Sequence, residues 1–142
     1  MLEYIILTNS LKDYTVITDL LSQLTTIGKS SYKQYCEYIQ DLSVNKYIYF
    51  ISDNNVIVGT GSVLIEKKII HGFQSVAHIE DIVIDQKHRG KKYGKHLLNY
   101  LVSVALNKGC YKVILDCNTN NIGFYEACGF SNKGNYMAYY LT

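Results

Sequence analysis

The run Arg89-Gly90-Lys91-Lys92-Tyr93-Gly94-Lys95 interleaves glycines with cations, just ahead of an apolar stretch. In that stretch Leu97, Leu98, Leu101, Val104 and Ala105 recur at helical spacing. The first turn of a helix leaves its N–H groups unpaired and carries the positive end of the dipole, so it attracts anions. Glycine lets the backbone come close to a phosphate, and flanking cations draw in a polyanion. The segment reads as a pyrophosphate cradle, with a solvated basic turn as the plain alternative. The Gly-Lys-Ser/Thr ending of a Walker loop is absent.

Just upstream, Glu80 and Asp81 stand side by side in the otherwise apolar run 76–84. Strand alternation points them to opposite faces. Burial of such a pair is costly unless each carboxylate has a partner. They are either edge or interface residues, or acceptors for an amine and hydroxyls. The cysteines Cys36, Cys110, Cys117 and Cys128 form no C-x-x-C pair, so reduced thiols without zinc are expected.

The elements that must position these residues follow from pattern. A strand is predicted at 3–7. A helix at 11–24 is capped by Asn9 or Ser10 and stopped by Gly28, with Tyr14, Ile17, Leu21 and Leu24 inward. A second helix at 32–42 is capped by Ser30 or Ser31, with Tyr35, Tyr38, Ile39 and Leu42 on one side. Strands at 47–51 and 56–65 flank a hairpin turn at Asp53-Asn54-Asn55. Gly59 and Gly61 mark a bend or a close approach. A strand at 76–84, the basic loop, a helix at 94–107 ended by Gly109 and a strand at 111–115 come next. A short helix at 120–128 closed by Gly129 and a strand at 136–141 complete the order. Alternating strands and helices predict a mixed α/β layer fold. With no repeat, linker or low-complexity tract, 142 residues form one domain.

Composition narrows the function classes. Hydrophobic residues at 48% and charged residues at 18% exclude a disordered chain. A net charge of +2 is too small to argue for nucleic acid, although Lys87, Arg89, Lys91, Lys92 and Lys95 cluster. No apolar run reaches the ~18 residues of a membrane span. The first residues, MLEYIILTNS, lack the basic region of a signal peptide. The expectation is a cytoplasmic protein that neither enters membranes nor binds nucleic acid. Arg89 is the only arginine among 14 cationic residues.

The spacing of Arg89, Lys92 and Gly94 resembles the acetyl-CoA loop of the GNAT acetyltransferases, Gln/Arg-x-x-Gly-x-Gly/Ala. Lys92 stands at the internal glycine, which requires a negative φ there. Longer segments resemble one branch, the eukaryotic-type glucosamine-6-phosphate N-acetyltransferases. They are His78-Ile79-Glu80-Asp81-Ile82-Val83-Ile84, 109–117 and Asn121-Ile122-Gly123-Phe124-Tyr125 through Asn132. Segments 24–28 and 65–71 extend the likeness over nearly the whole chain.

That resemblance implies the GNAT fold, a mixed central sheet flanked by helices. It implies acetyl-CoA as co-substrate, no metal, and glucosamine 6-phosphate as acceptor. It also implies a homodimer with shared sugar sites. Glu80, Asp81, Asp116 and Tyr125 fall at its catalytic positions, with Tyr125 directed at the sulfur. Ile82, Val83 and Ile84 would offer backbone groups to the acetyl and pantetheine portions, with the Ile82 N–H a candidate oxyanion donor. Arg89, Gly90, Lys91, Lys92, Tyr93, Gly94, Lys95 and Asn121 would hold the rest of the cofactor, Asn121 having helix capping as its alternative role. The sugar phosphate would meet Thr25, Lys68, Ile69, Ile70, His71, Tyr111 and Lys112. Tyr140 stands where relatives carry an arginine, and a phenol supplies one hydrogen bond and no charge. Weaker discrimination between the phosphorylated and free sugar is therefore expected.

Amine attack on a thioester in a ternary complex needs no covalent acyl-enzyme, so the cysteines are read as small core residues. Three rival functions share parts of this pattern: acetylation of another small amine or a protein N-terminus, a CoA sensor, and electrostatic nucleic-acid binding through 87–95.

Overall fold

The computed structural model describes residues 1–142. Its strands run in space in the order of sequence, β1 (Leu2–Ile6), β2 (Lys46–Asp53), β3 (Val56–Lys67), β4 (Ser75–Ile84) and β5 (Cys110–Ile114). The first four are antiparallel, and β5 joins β4 in parallel. The β2–β3 turn places Asn54 and Asn55 at φ +48° and +68°. This two-residue turn suits the strand twist, and Asn tolerates its left-handed backbone.

α1 (Leu11–Ser22) and α2 (Tyr32–Gln40) cover one face of the sheet. Ser10 and Ser31 cap them, each accepting an N–H bond three residues on. Ile17, Leu20 and Tyr35 pack there against Phe50 and Val83. α4 (Tyr93–Asn107) covers the other face with the stripe Leu97, Leu98, Leu101, Val104 and Ala105. These meet Ile51, Val58, Val63, Ile65, Ala77 and Ile79. No helix is long and apolar enough to cross a membrane.

Several expectations change in detail. α1 ends before Leu24, so Leu20 takes the inward place and Leu24 is exposed. Gly28 lies beyond that helix end rather than stopping it. Tyr38 is exposed while Tyr35 is buried. The short helix divides into a 3₁₀ turn, Thr119–Asn121, and α5 (Ile122–Ala127). Between β3 and β4, α3 (Ile70–Phe73) is a turn with His71, Gly72 and Phe73 all at positive φ. It holds Ile69, Ile70 and Phe73 in solvent.

The largest departure is at the end of the chain. The strand expected at 136–141 does not form. Tyr136, Met137, Tyr139, Tyr140 and Leu141 are each at least 68% exposed. The run is apolar enough for a strand, but a strand exists only when paired, and this segment joins no ladder, so β5 remains the last strand with its outer edge open.

Candidate functional site

The site is built around an irregularity in β4. Ser62 pairs with Glu80, and Thr60 pairs with Val83, so Asp81 and Ile82 both stand opposite Gly61. This is a β-bulge, and Asp81 takes it in the left-handed region, at φ +53°. Gly61 permits the close fit, because a Cβ there would meet the Ile82 side chain and lie 3.1 Å from Leu101 Cδ1. Gly59 is a second close approach, its missing Cβ only 2.8 Å from the Val83 carbonyl oxygen.

The bulge overturns the expectation that Glu80 and Asp81 face opposite ways. Ile79 belongs to the cluster under α4, and Ile82 and Ile84 pack on that same cluster. Val83 packs instead with α1. The extra residue leaves both carboxylates on the face away from α4. They are also exposed rather than buried. Glu80 borders a hollow toward β5, and Asp81 borders a smaller one beneath α1 and α2.

The larger hollow is about 880 Å³. It opens because β4 and β5 part after the pair His78–Ile114, leaving the β4 edge from Ile79 to Ile84 without β5 beside it. Glu80, Tyr111, Lys112, Asp116 and Tyr125 all line it. Although the Glu80 side chain reaches solvent, the atoms crowded around its carboxyl partly desolvate it and push it above the usual range, and the negative charges of Asp116 and Asp81 add to the rise. Burial likewise pushes the Tyr125 hydroxyl up, helped by Cys117, Cys128 and Asp116. Tyr125 therefore stays a phenol and a hydrogen-bond donor at neutral pH. Its ring is held edge-on by Phe124 and Phe130, with centroids 5.1 and 6.0 Å away. Cys110 and Cys128 are half-buried against the α4 core, and burial raises both thiols. They are thiols rather than nucleophilic thiolates.

The basic loop lies between β4 and α4. Arg89 Nε donates to the Ile84 carbonyl at 2.9 Å, which ties the loop to the end of β4. Gly90 has φ +83°, beyond the ordinary reach of other residues. Lys92 is left-handed too, at φ +67°, contrary to the expected negative φ. The turn into α4 demands that conformation, and the absent internal glycine leaves lysine to carry the strain. Lys92 places no side-chain cap on α4, so the N–H groups of its first turn remain open to an anion.

Tyr93 is turned away from this opening. Its hydroxyl donates to Asp53 Oδ2 at 2.6 Å, fastening the start of α4 to the β2–β3 hairpin. That bond, and then the amino terminus, hold the Asp53 carboxyl below its ordinary range. Gly94 makes room for a neighbour rather than only for a ligand, since a Cβ there would sit 3.2 Å from Phe124 Cζ. Asn121 leads into α5 without a side-chain cap bond, so its amide is free. Lys91 and Lys95 are exposed beside the loop.

The remaining expected sugar residues are dispersed. Thr25 is exposed in the turn after α1. Lys68 Nζ lies 3.6 Å from Glu66 Oε1, on the rim of the β3–β4 connection. Ile69 and Ile70 project from the same connection. His71 reaches the hollow indirectly, its ring 4.2 Å from that of Tyr111. Lys112 Nζ sits 5.6 Å from the Tyr111 ring centre. Tyr140 is on the free tail, 83% exposed. Sequence reasoning missed His78, which lines the hollow and bonds Glu66 Oε1 at 3.1 Å. Its spacing two residues from Glu80 on one strand was the available signal.

Residues 14–130 match the Acetyltransferase (GNAT) family. A glucosamine 6-phosphate N-acetyltransferase of Candida albicans is 40% identical over 82% of this chain and 80% of its own. One from Arabidopsis thaliana is also 40% identical, over 87% and 86% respectively. A crystal structure of glucosamine-6-phosphate N-acetyltransferase from Arabidopsis thaliana superposes with a TM-score of 0.91 at 35% identity. That match covers 100% of this chain and 99% of the other.

The left-handed Lys92 generates a test. Lys92→Gly removes the Cβ conflict and should raise the unfolding free energy by ~1 kcal/mol, measured by urea denaturation. An unchanged or lowered midpoint would show that the lysine is unstrained.

Proposed function

Because the chain belongs to the GNAT acetyltransferase family, we propose that its reaction moves acetyl from acetyl-CoA to the 2-amino group of D-glucosamine 6-phosphate. The products are N-acetyl-D-glucosamine 6-phosphate and CoA. The observation that carries this reading is the bulge. It sets two carboxylates on one face of β4 where the strand edge is open, with Glu80 in one hollow with Asp116 and Tyr125 and Asp81 in the neighbouring one. Residues 1–142 would act as one catalytic domain, in the cytoplasm, on the route to UDP-N-acetylglucosamine.

The residues fit the cofactor. The open start of α4, with Gly90, Lys91, Lys92, Lys95 and the free Nη groups of Arg89, suits a pyrophosphate. The β4 edge along Ile82, Val83 and Ile84, left uncovered by β5, suits the amides of a pantetheine arm. Asn121 offers its free amide nearby. Tyr93 serves this site by anchoring the helix.

Glu80 would take one proton from the sugar ammonium, directly or through water, leaving a neutral amine. Asp81 and Asp116 would orient that amine. The amine nitrogen then bonds to the acetyl carbon, while the Ile82 N–H donates to the acetyl oxygen as charge develops there. The carbon–sulfur bond breaks, and Tyr125 supplies a proton to the departing sulfur. The second amine proton replaces the one that Tyr125 gave.

A second copy of the chain would complete the sugar site. The exposed apolar tail, the open outer edge of β5 and the projecting Ile69, Ile70 and Phe73 support a homodimer. In it Thr25, Lys68, His71, Tyr111, Lys112 and Tyr140 would converge on the phosphate. Sedimentation at micromolar concentration should give the mass of two chains, and a monomer there would refute the shared site.

CoA thiol release distinguishes the substrates. Glucosamine 6-phosphate should support turnover, with a preference over free glucosamine below ~100-fold, about 2.7 kcal/mol. A larger preference would mean that other groups replace the charge Tyr140 lacks. Release with neither sugar, despite CoA binding, would favour another small amine or a protein N-terminus as acceptor.

The raised Glu80 pKa fixes a sign. Its carboxylate is the working form, so activity falls as pH drops through that raised value. The acid limb of kcat/KM should lie above the ordinary carboxylate range of ~4.3. Glu80→Gln should abolish that limb and lower kcat by about 100-fold or more. A limb retained in the variant would assign it to another group.

A further inference from the structure

The bulge in β4 has a specific partner on β3. Ser62 is only 3% exposed. Its hydroxyl donates to the Glu80 carbonyl oxygen at 3.0 Å. Glu80 is the last paired residue before the irregularity, and Asp81 after it is left-handed. The hydroxyl thus holds β4 at the point where its backbone turns out of register. Gly61, next to Ser62, leaves room for the Ile82 side chain to drop toward α4.

Two arrangements of this segment compete. In a regular ladder Asp81 would leave the left-handed region, which favours that arrangement. Alternation would then send Glu80 and Asp81 to opposite faces. In the bulged arrangement both share a face, and the Asp81 and Ile82 backbone is released from β3. The Ser62 bond favours the bulged one, and a single hydrogen bond is comparable in size to the backbone cost it opposes.

We propose that Ser62 is a positioning residue for acetyl transfer, its hydroxyl latching the β4 bulge so that Glu80 and the Ile82 N–H converge on the reacting groups. The latch touches neither substrate. It acts through the Glu80 carbonyl, and its catalytic part rests on the acetyltransferase reading above. The geometric part, bulge against regular strand, stands independently of which amine is acetylated.

The test compares Ser62→Ala with Ser62→Thr, which keeps the hydroxyl. In Ser62→Ala, kcat should fall roughly 10- to 100-fold, short of losing an oxyanion donor outright. The Kd for CoA should stay within about twofold, because the α4 cradle is untouched. The acid limb of the pH profile should move down, as Glu80 is released from Asp81 and from Asp116 beyond β5. Lys46 on β2 is the permanent cation facing it, with the His78 ring on β4 beside it, and both oppose the rise in the native arrangement. Ser62→Thr should keep both the rate and the limb. A merely structural serine would lower the melting temperature without moving the limb.

The backbone arm needs no acceptor. Acetyl-CoA should shift the Ile82 amide resonance in the wild type and in Ser62→Thr, and leave it in place in Ser62→Ala. Adding Asp81→Gly to Ser62→Ala should restore that shift, since glycine adopts the left-handed turn without a latch. That double variant also serves if Ser62→Ala alone folds poorly. A Ser62→Ala protein with wild-type kcat, limb and Ile82 response overturns the proposal. A wild type that acetylates no sugar overturns the substrate reading, and the amide response then decides the latch alone.

Discussion

Everything at this site depends on one strand doing incompatible things along its two edges. β4 pairs with β3 along its length, yet beyond His78 its other edge must stay free of β5. A regular strand in that place would alternate its side chains strictly. The bulge at Asp81 and Ile82 breaks the alternation where the free edge begins. One inserted residue thereby changes which face carries chemistry, without disturbing the apolar residues on either side. Ile79 and Ile82 still meet α4, and Val83 still meets α1.

The charges are segregated around that strand. At its middle, Glu80 gathers with Asp81 and Asp116, and desolvation first, then repulsion from these two, makes Glu80 hold a proton more readily. At its end Arg89 bonds to Ile84, and the lysines of the loop surround an uncapped helix start. An acceptor amine suits the first end and a polyanion suits the second. Tyr125 lies in the same hollow as Glu80 and Asp116, and it is kept as a phenol by burial. The α4 start is fixed from behind by the Tyr93–Asp53 bond, so the cradle rests on the hairpin rather than on the ligand.

The apolar surface is incomplete in a consistent direction. The tail residues and the tip at Ile69, Ile70 and Phe73 are exposed. The tip adjoins the Tyr111–His71 stack that borders the larger hollow, and the tail itself forms part of that hollow's wall. The backbone of the tip is held left-handed at successive residues, which is unusual for His and Phe. Such conformations persist only where surroundings over-determine them.

Much of the architecture was legible in the sequence because it is set locally. The α4 stripe follows from helical spacing, Ser10 and Ser31 cap the next N–H groups, and Asn54-Asn55 suits a tight hairpin turn. The basic loop and the two carboxylates were also visible as residue types at telling spacings. What the sequence left undecided depends on partners far along the chain. The common face of Glu80 and Asp81 is decided by register against Gly61 and Ser62. The left-handed Lys92 is decided by how α4 must leave β4, and the direction of Tyr93 by an aspartate forty residues away. The 136–141 segment carries a strand's pattern but forms no strand, because pairing belongs to the edge it meets and not to its own residues. Local propensity and capping are properties of a few neighbouring residues, whereas register and face are properties of two segments brought together by the fold.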